Sequence, residues 1–376
     1  MSNAVRYSRF GGPEVLEVVE VVTPSPGPAD VLVEVFAAGV NPIESFERRG
    51  EAPEGRLPGL PAWPGREFAG VVVAAGPEVM RLSKGDEVIG LVEAGAHATH
   101  VVAPEASVVR RPHGVPWEVA GALPIAGATA WQAIDSLQIR EGDTIVVTAA
   151  AGGVGCLAAQ LARLRGATVV GTTADARFDF LRQFGILPMA YGPGLADRVR
   201  AAVPGPIAAF LDFLGGEADE AAKLGVPASR TLTTLDHAAV DTGKAIVVGP
   251  GDRVALERIA HAIADRKVRL PIADIFGLDR IADAYRSLDR RDAPGKIVLG
   301  MHIVSYPGQR SQEPDLKEQD VTLGVPTPHR HVDVVEQVPA AIADGSVRRR
   351  HAEERAARDA RGASTAGAAT GAPSTE

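Results

Sequence analysis

The sequence predicts an α/β protein in which a domain of short strands precedes a doubly wound parallel sheet. Two observations support this. Up to residue 122, short apolar runs alternate with Gly, Pro and Asp, as in strand-rich domains. From Pro124 onward, apolar strands alternate with helical patterns, as in a parallel sheet covered by helices. The length of 376 residues is sufficient for two such cores.

The composition excludes several classes of protein. A net charge of -8 disfavours general binding to nucleic acid or to an anionic membrane, because both need a basic face. No apolar run reaches the roughly 20 residues of a membrane span. The N-terminus lacks the apolar core of a signal peptide. The single cysteine excludes a disulfide scaffold within one chain. We therefore expect a soluble, cytoplasmic protein.

The strands of the parallel sheet follow in order along the chain. We predict them at 144–148, 168–172, 187–191, 207–212, 230–234 and 244–248. An amphipathic helix at 253–268, a second helix at 278–291 and a last strand at 296–300 follow. Beyond this strand the composition becomes polar and rich in Gly, Ser, Ala and Pro. We expect a largely disordered tail at 303–376, with one helical pattern in its middle.

The turn after the first parallel strand, "TAAAGGVG", predicts a dinucleotide site. It follows a strand and opens a helix, which is the context that gives a glycine-rich turn its meaning. Gly152 allows the backbone to approach a pyrophosphate, and Gly155 allows the helix to pack closely on the strand. The N-terminus of the helix supplies N–H groups for the phosphates. The alternative is a tight turn that binds nothing.

The end of the second parallel strand favours NADP over NAD. Thr173 stands where an acidic residue would bind the ribose 2′-hydroxyl of NAD. Arg177 follows four residues later and can pair with a 2′-phosphate. Asp175 lies between them, and an exposed surface arginine is the alternative for Arg177. We expect NADPH, with NADH as the less favoured cofactor.

The ordered motifs of the chain resemble those of the zinc-free medium-chain dehydrogenases/reductases, in the quinone oxidoreductase (zeta-crystallin-like) branch. The resemblance runs from Met1 to about Met301. It rests on "RFGGPEVLEV", "AAGVNPIESFERRG", "GREFAGVVVAAG", "KGDEVIGL", "ALPIAGATAWQAI", "AAAGGVG", "LDFLGG" and "GKIVLG". It implies a GroES-like catalytic domain at 1–122 and 262–302, and a Rossmann cofactor domain at 123–261. It also implies a homodimer.

The resemblance implies a set of cofactor-binding residues. Thr129 matches a threonine near the nicotinamide, and Tyr191 matches a tyrosine in the 2′-phosphate pocket, with an ordinary strand-end aromatic as its alternative. Leu214, Leu235 and Gly249 stand in loops that border the nicotinamide. The full candidate set is Asn41, Thr129, Ala151, Gly152, Gly153, Val154, Gly155, Thr172, Thr173, Arg177, Tyr191, Leu214, Leu235, Gly249 and Lys296.

Catalytic zinc is not expected. Zinc-dependent relatives carry Cys at the position of Asn41 and His at that of Arg66. An arginine cannot give up its proton to ligate a metal, and asparagine is a poor zinc ligand. The histidines at 97, 100 and 113 lack zinc-site spacing and a cysteine partner.

The candidate catalytic residues come from "NPIESFERRG". Asn41 can donate to a carbonyl or a ribose hydroxyl, and Glu44 can orient its neighbours. Phe46 stands where many relatives carry Tyr, so it can pack on the nicotinamide but offers no phenol proton. Arg48 is a cationic option for an enolate. A turn residue, a solvent-facing glutamate and a structural arginine are the respective alternatives for Asn41, Glu44 and Arg48.

These residues favour hydride delivery to a quinone or an α,β-unsaturated carbonyl, with NADPH as the donor and no metal. Such acceptors place charge on a carbonyl oxygen that hydrogen-bond donors can stabilise. We keep two alternatives: an enoyl reductase of a biosynthetic, polyketide-like pathway, and a non-catalytic NADPH-binding structural or regulatory protein. The expected partner is a small-molecule quinone or enone, with no nucleic acid and no membrane.

Overall fold

The computed structural model describes residues 1–51, 57–234, 237–247, 252–291 and 294–302. The predicted tail at 303–376 and the candidates Leu235 and Gly249 lie outside these residues. Within the described parts, no helix combines the length and the apolar character that crossing a membrane requires.

The first part of the chain is rich in strands, as predicted. Its strands are β1 (Ser2–Arg6), β2 (Glu17–Val21), β3 (Asp30–Val40), β4 (Glu67–Ala75), β5 (Glu87–Leu91), β6 (His100–Pro104) and β7 (Val108–Arg110). Helix α1 (Pro42–Arg49) follows β3, and helix α2 (Trp117–Ser136) follows β7. Strands β1 and β2 form an antiparallel pair.

The middle of the chain alternates strands and helices. Its elements are β8 (Thr144–Val147), α3 (Gly153–Leu164), β9 (Thr168–Thr173), α4 (Phe178–Gln183), β10 (Leu187–Ala190), α5 (Leu195–Ala202), β11 (Ala209–Asp212), α6 (Ala218–Lys223), β12 (Thr231–Thr233), α7 (His237–Asp241), β13 (Ile246–Val247) and α8 (Arg253–Ala264). The chain then forms β14 (Ile272–Gly277), α9 (Ile281–Arg290) and β15 (Lys296–Gly300).

Strands β8 to β13 form one six-stranded parallel sheet in the order β10-β9-β8-β11-β12-β13. Numbered within the sheet, this order is that of a doubly wound dinucleotide fold. The order reverses between β8 and β11, so the carboxyl ends of these two strands mark the crevice where such sheets bind ligands. The glycine turn after β8 lies at this point.

The second sheet joins the two ends of the described chain. Its order is β14-β15-β3-β4-β5-β7, with β6 also paired to β3. Strand β15 runs antiparallel to β3 and parallel to β14. The buried valines of β3, Val31, Val33 and Val35, lie in the hydrophobic core of this sheet. The return of the chain into this sheet as β15 brings Lys296 beside the end of β3.

Helix α2 lies between the two sheets. It packs against β3 and β4 on one side and against α3 and α8 on the other. One continuous core contains Ala37 of β3, Leu123 of α2 and Leu157 of α3. The predicted domain boundaries at 122/123 and 261/262 fall inside α2 and α8, and they stay predictions.

The predicted fold class, a strand-rich GroES-like domain with a doubly wound Rossmann domain, is confirmed. Strands β1, β7 and β14 were not predicted. The sequence of β1, "SNAVR", is short and partly polar, and its pairing with β2 supplies the partner that the pattern does not reveal. In "PIADIFG", Pro271 and Asp274 interrupt the apolar run, and the strand forms because β15 lies beside it.

Candidate functional site

The glycine turn after β8 has the geometry of a phosphate-binding turn. Gly152 is the N-cap of α3, and no side chain caps the helix there. Ala149 adopts a left-handed conformation with φ 48° and accepts the N–H of Gly152 at 2.9 Å. A Cβ on Gly155 would lie 2.4 Å from the carbonyl oxygen of Ala149, so only glycine fits there. The first turn of α3 therefore offers backbone N–H groups at the carboxyl end of the sheet.

Gly152 is open where Gly155 is crowded. A Cβ at Gly152 would meet only the Ala149 carbonyl oxygen, at 3.3 Å. This is the free approach that a pyrophosphate needs. On its other side the turn contacts the start of β15, because Gly295 donates its N–H to the carbonyl of Ala151 at 2.8 Å. The remaining predicted turn residues, Gly153 and Val154, form the first turn of α3.

The corner formed by β9 and β10 contains the residues predicted to distinguish NADP from NAD. Thr172 and Thr173 are buried at the end of β9, and the Thr172 Oγ1 has no hydrogen-bond partner. Arg177 lies in the turn after β9 and donates to the carbonyl of Arg291 at 2.9 Å. Tyr191 follows β10 and is 55% exposed. Because β9 and β10 are neighbours, Arg177 and Tyr191 follow adjacent strand ends.

The loop after β11 is organised by a buried aspartate that the sequence analysis missed. Asp212 accepts the Thr148 hydroxyl at 2.7 Å and the N–H groups of Leu214, Gly215 and Glu217 at 3.1, 2.9 and 3.0 Å. Leu214 also donates to the Thr148 Oγ1 at 3.0 Å. This holds Leu214 at the reversal point of the strand order. The available signal was an acidic residue at the end of a buried strand in "LDFLGG".

Asn41 and Lys296 meet in a buried polar network with Glu67. The Lys296 Nζ donates to the Asn41 Oδ1 at 2.5 Å, to the Glu67 Oε1 at 2.8 Å and to the carbonyl of Val40 at 3.2 Å. The Asn41 Nδ2 donates to the same Glu67 oxygen at 2.9 Å. All three side chains are buried, and the Glu67 side chain is fully so. An ion pair this deep depends on such complete hydrogen bonding.

Helix α2 contributes to the same network. Ile125, next to Pro124 within α2, donates its N–H to the Glu67 Oε2 at 2.7 Å. A proline inside a helix disturbs the hydrogen bonds around it, which leaves backbone groups available for other partners. Thr129 lies one turn further along α2 and is buried. Glu67 is therefore held by groups from α1, α2 and β15, although only its place in "GRE" was noted in the sequence.

Lys296 links this network to the glycine turn. A Cβ on Gly153 would lie 2.6 Å from the Lys296 Cδ, so the lysine stem passes directly over the start of α3. The ammonium group then reaches Asn41 at the N-terminus of α1. The structure thus brings together Lys296, Asn41 and the glycine turn, which the sequence predicted separately. It directs the Lys296 ammonium to Glu67 and Asn41.

Glu44, in the first turn of α1, occupies a second buried position. Its Oε2 accepts the Asn41 N–H at 2.9 Å and the Tyr285 hydroxyl at 3.3 Å. The neighbouring His97 places its Nε2 3.1 Å from the carbonyl of Gly39 and 3.9 Å from the Glu44 Oε2. The Glu44 Oε1 and the His97 Nδ1 have no partner. Sequence spacing did not reveal His97 and Tyr285 as neighbours of Glu44, because 241 residues separate Tyr285 from Glu44.

Burial is the largest cause of the pKa shifts of Glu44, His97 and Tyr285. It raises the pKa of Glu44 to about 7, although the Asn41 N–H and the Lys296 charge act in the opposite direction. Burial also lowers the pKa of His97 to about 4, so the imidazole is neutral at pH 7. The pKa of the Tyr285 hydroxyl is raised well above its usual value by burial and by Glu44.

Arg48 lies in a different place from that expected of a catalytic cation. Its guanidinium is buried and donates to the carbonyl of Gly11, to the Ser45 hydroxyl and to Asp289 of α9. Its charge is compensated by Asp289 at 3.0 Å. This placement removes Arg48 from the candidate site and assigns it to the contact between α1 and α9.

Phe46, which belongs to α1, and Arg66 both contact charged side chains of α1. The ring of Phe46 is half-buried, and the Arg49 guanidinium lies over it. The Arg49 Cζ is 5.0 Å from the centroid of the ring. Arg66 pairs with Glu47. Among the described residues, no three His, Cys, Asp or Glu side chains are grouped closely enough to hold a metal ion.

Two family models match most of the described chain. Residues 27–113 match the alcohol dehydrogenase GroES-like domain, and residues 125–299 match the zinc-binding dehydrogenase domain.

Known proteins are similar to this chain in sequence and in fold. Human quinone oxidoreductase is 37% identical over 46% of this chain and 53% of its own length. The chain thus spans about half of that relative. NADPH-dependent alkenal/one oxidoreductase of Arabidopsis thaliana is 30% identical over 78% of both chains. The solved structure of Pseudomonas syringae pv. Tomato DC3000 quinone oxidoreductase matches with a TM-score of 0.71 and 28% identity, covering 80% of this chain and 100% of that one. The chain belongs to the medium-chain dehydrogenase/reductase family, in its quinone oxidoreductase branch.

Proposed function

We propose that this protein is an oxidoreductase that uses NADPH to reduce quinones or α,β-unsaturated carbonyls by direct hydride transfer without zinc. The observation that carries this proposal is that Lys296 contacts both the glycine turn and Asn41. Its stem covers Gly153, the first residue of α3 within the dinucleotide turn, and its ammonium binds Asn41 at the start of α1. A cofactor held at the turn would therefore lie beside the side chains of the other domain.

The residues at the turn fit a nicotinamide dinucleotide. Gly152 leaves room for a pyrophosphate, and α3 begins without a side-chain cap. The buried hydroxyl of Thr172 has no partner in the protein. The Thr148–Asp212 pair holds the loop that would border the nicotinamide. When bound, the cofactor supplies the hydride, and the protein supplies orientation and a dry pocket.

NADPH is preferred over NADH in this proposal because of two features at the end of β9. Thr173 provides no carboxylate for a free ribose 2′-hydroxyl. Arg177 follows the same strand and carries a guanidinium at the protein surface. A guanidinium binds a phosphate through two parallel hydrogen bonds. The Arabidopsis relative is named as an NADPH-dependent enzyme, which supports the same preference.

The zinc-free mechanism rests on the donor groups at the two positions where zinc-dependent relatives carry ligands. The Asn41 Oδ1 already accepts a hydrogen bond from Lys296, and Arg66 is a cation paired with Glu47. Neither residue is a suitable zinc ligand. A buried ammonium, that of Lys296, supplies positive charge beside Asn41 instead. Without a Lewis acid, an electron-poor conjugated acceptor is easier to reduce than an alcohol is to oxidise.

The experiment is an acceptor panel of quinones and enones, with consumption of NADPH and of NADH followed in parallel. Turnover of a quinone or an enone with NADPH supports the proposal. Turnover restricted to enoyl thioesters would favour the enoyl reductase alternative. Tight NADPH binding without any turnover would favour the non-catalytic alternative.

We also propose that the protein is a homodimer. Among the described strands of the parallel sheet, β13 lies at one edge, and Ile246 there is 38% exposed. An open strand edge is a natural place for pairing with a second copy. Light scattering coupled to size exclusion would give the mass of the dimer or that of the monomer.

A further inference from the structure

Two buried carboxyl groups lie near the Lys296 ammonium, and only one of them, Glu67, contacts it. Glu44 and Glu67 are 1% and 0% exposed. The Lys296 ammonium lies 2.8 Å from Glu67, which also accepts hydrogen bonds from Asn41 and Ile125. The contacts of Glu44 are neutral: the Asn41 N–H and the Tyr285 hydroxyl. The geometry therefore satisfies a charge on Glu67 and leaves Glu44 without a cation.

The groups around Glu44 come from every element packed against it. The neutral neighbours are the Asn41 N–H of α1, Tyr285 of α9 and His97 before β6. The titratable groups that act on it from further away are Lys296 of β15, Glu67 of β4, Arg66, Glu47 of α1 and Tyr7, which follows β1. His97 directs its Nε2 to the carbonyl of Gly39, so it donates there as a neutral ring.

One oxygen of Glu44 is satisfied and the other is not. Both hydrogen bonds are accepted by Oε2, whereas the buried Oε1 has no donor in the described protein. An ionised carboxylate needs donors on both oxygens when it is buried. The neutral acid keeps Oε2 as the carbonyl oxygen that accepts both donors and leaves one O–H, at Oε1, without an acceptor. This costs less than a buried charge whose second oxygen has no donor. The raised pKa of Glu44, about 7, agrees with this asymmetry.

We propose that Glu44 is held as the neutral carboxylic acid and is a positioning residue for the cofactor site. It acts through Asn41: it fixes the Asn41 N–H, the Asn41 side chain holds Lys296, and Lys296 covers Gly153. Ionisation of Glu44 places a second carboxylate charge near Lys296, which competes with Glu67 for the ammonium. This inference rests on the proposed function, since it concerns binding of NADPH at the same turn.

The first test detects the proton itself. Difference infrared spectroscopy of the full chain without cofactor, between pH 5 and 9, should show a protonated carboxyl band that is lost around pH 7. The band should be absent in Glu44→Gln, which mimics the neutral acid, and present in the control Glu51→Gln, an exposed glutamate paired with Arg49. Absence of the band in the wild type, or its persistence in Glu44→Gln, would overturn the proposal.

The second test measures the dissociation constant of NADPH across the same pH range. The wild type should bind several-fold more weakly at pH 8.5 than at pH 6, beyond any change seen in Glu44→Gln, which should bind like the wild type at pH 6. A loss of affinity of tenfold or more in Glu44→Gln at pH 6, or parallel pH profiles, would contradict the positioning role.

A second variant keeps the proposal testable if Glu44→Gln does not fold. Tyr285→Phe removes one donor to Glu44 and so removes a bond that favours the ionised form. Both the infrared band and the weakening of NADPH binding should then shift to higher pH. An unchanged midpoint would overturn the proposal. If NADPH binds at no pH, the proposed function and the positioning role both fail, whereas the infrared titration still decides the proton on Glu44.

Discussion

Lys296 is the residue on which the buried network depends. Its ammonium donates to Asn41, Glu67 and the Val40 carbonyl, and its stem lies over Gly153. Because Glu67 is completely buried, its charge relies on this contact and on its two other donors. Removing one member of a buried ion pair leaves the other without compensation, which costs more than removing both.

We therefore expect Lys296→Met to lower the free energy of unfolding by about 3–5 kcal/mol. The double variant Lys296→Met, Glu67→Gln should recover a large part of this loss, because the uncompensated charge is gone. Chemical denaturation of the four proteins in the cycle measures both effects. Equal losses in the double variant and in Lys296→Met would show that Glu67 does not depend on Lys296.

The sequence predicted some of the individual residues of the site. Asn41, Glu44 and Lys296 were recognised through their motifs, and the structure brings them together. Glu67, His97 and Tyr285 were not recognised as site residues. Their partners lie up to 241 residues away, and spacing within one segment contains no information about such contacts. For Arg48 the contacts agree with the structural alternative, and the sequence did not reveal its partner because Asp289 comes from α9.

Among the elements, the start of α3 allows packing and cofactor binding to be tested separately, because Gly152 and Gly155 differ in their surroundings. Gly152→Ala adds a methyl group 3.3 Å from the Ala149 carbonyl oxygen, a slightly tight contact, at φ -81°, which alanine adopts without strain. We expect this variant to keep its unfolding free energy to within about 1 kcal/mol. Its affinity for NADPH should fall at least about tenfold, since the methyl group occupies the approach to the backbone.

Gly155→Ala is the matched variant on the same helix. Its methyl group would lie 2.4 Å from the Ala149 carbonyl oxygen. Because this contact is with backbone, we expect a loss of about 1–3 kcal/mol in unfolding free energy. Calorimetry and a fluorescence titration with NADPH separate the two variants. If Gly152→Ala bound NADPH normally, the assignment of the turn would be contradicted.

The loop after β11 allows a test of Asp212. Replacing it with alanine removes the acceptor of the Thr148 hydroxyl and of three backbone N–H groups. We expect a loss of about 3 kcal/mol, because a hydrogen bond to a charged group contributes about 1.5–3 kcal/mol. Asp212→Asn is the control, since it retains an acceptor at Oδ1. An equal loss in both variants would mean that the acceptors are not what stabilises the loop.

The elements of the parallel sheet were the most predictable part of the fold. Buried parallel strands are apolar throughout, so β8 and β9 stand out from the helices between them. The strands of the other sheet have shorter apolar patterns, and they pair with strands that are distant in the sequence. β14, for example, pairs only with β15 in that sheet. Its sequence alone gives no reason to expect a strand.

For the whole molecule, two buried groups give opposite dependences of stability on pH. The pKa of His97 falls from 6.5 to about 4 on folding, so its contribution is lost as pH falls from about 6.5 towards 4. The pKa of Glu44 rises from 4.5 to about 7, so its contribution is lost as pH rises from about 4.5 to 7. Between about pH 4.5 and 6.5 the two slopes oppose each other.

We expect variants of these residues to separate the slopes. His97→Gln keeps a donor for the Gly39 carbonyl and removes the acid-side loss, so its melting temperature relative to the wild type should rise as pH falls from 6.5 to 4.5. Glu44→Gln should show the reverse trend, rising relative to the wild type from pH 4.5 to 7. Thermal unfolding at several pH values measures both differences. Trends of the same sign would contradict the account.

The rate of NADPH oxidation with a panel of quinones and enones decides whether the protein is the reductase that we propose. It should be measured on the full chain and on Gly152→Ala, with NADH in parallel. We predict turnover of at least one quinone or enone, faster with NADPH than with NADH, and its loss in Gly152→Ala at subsaturating NADPH. No binding and no oxidation of either cofactor would contradict the assignment of the glycine turn and the proposed reductase activity.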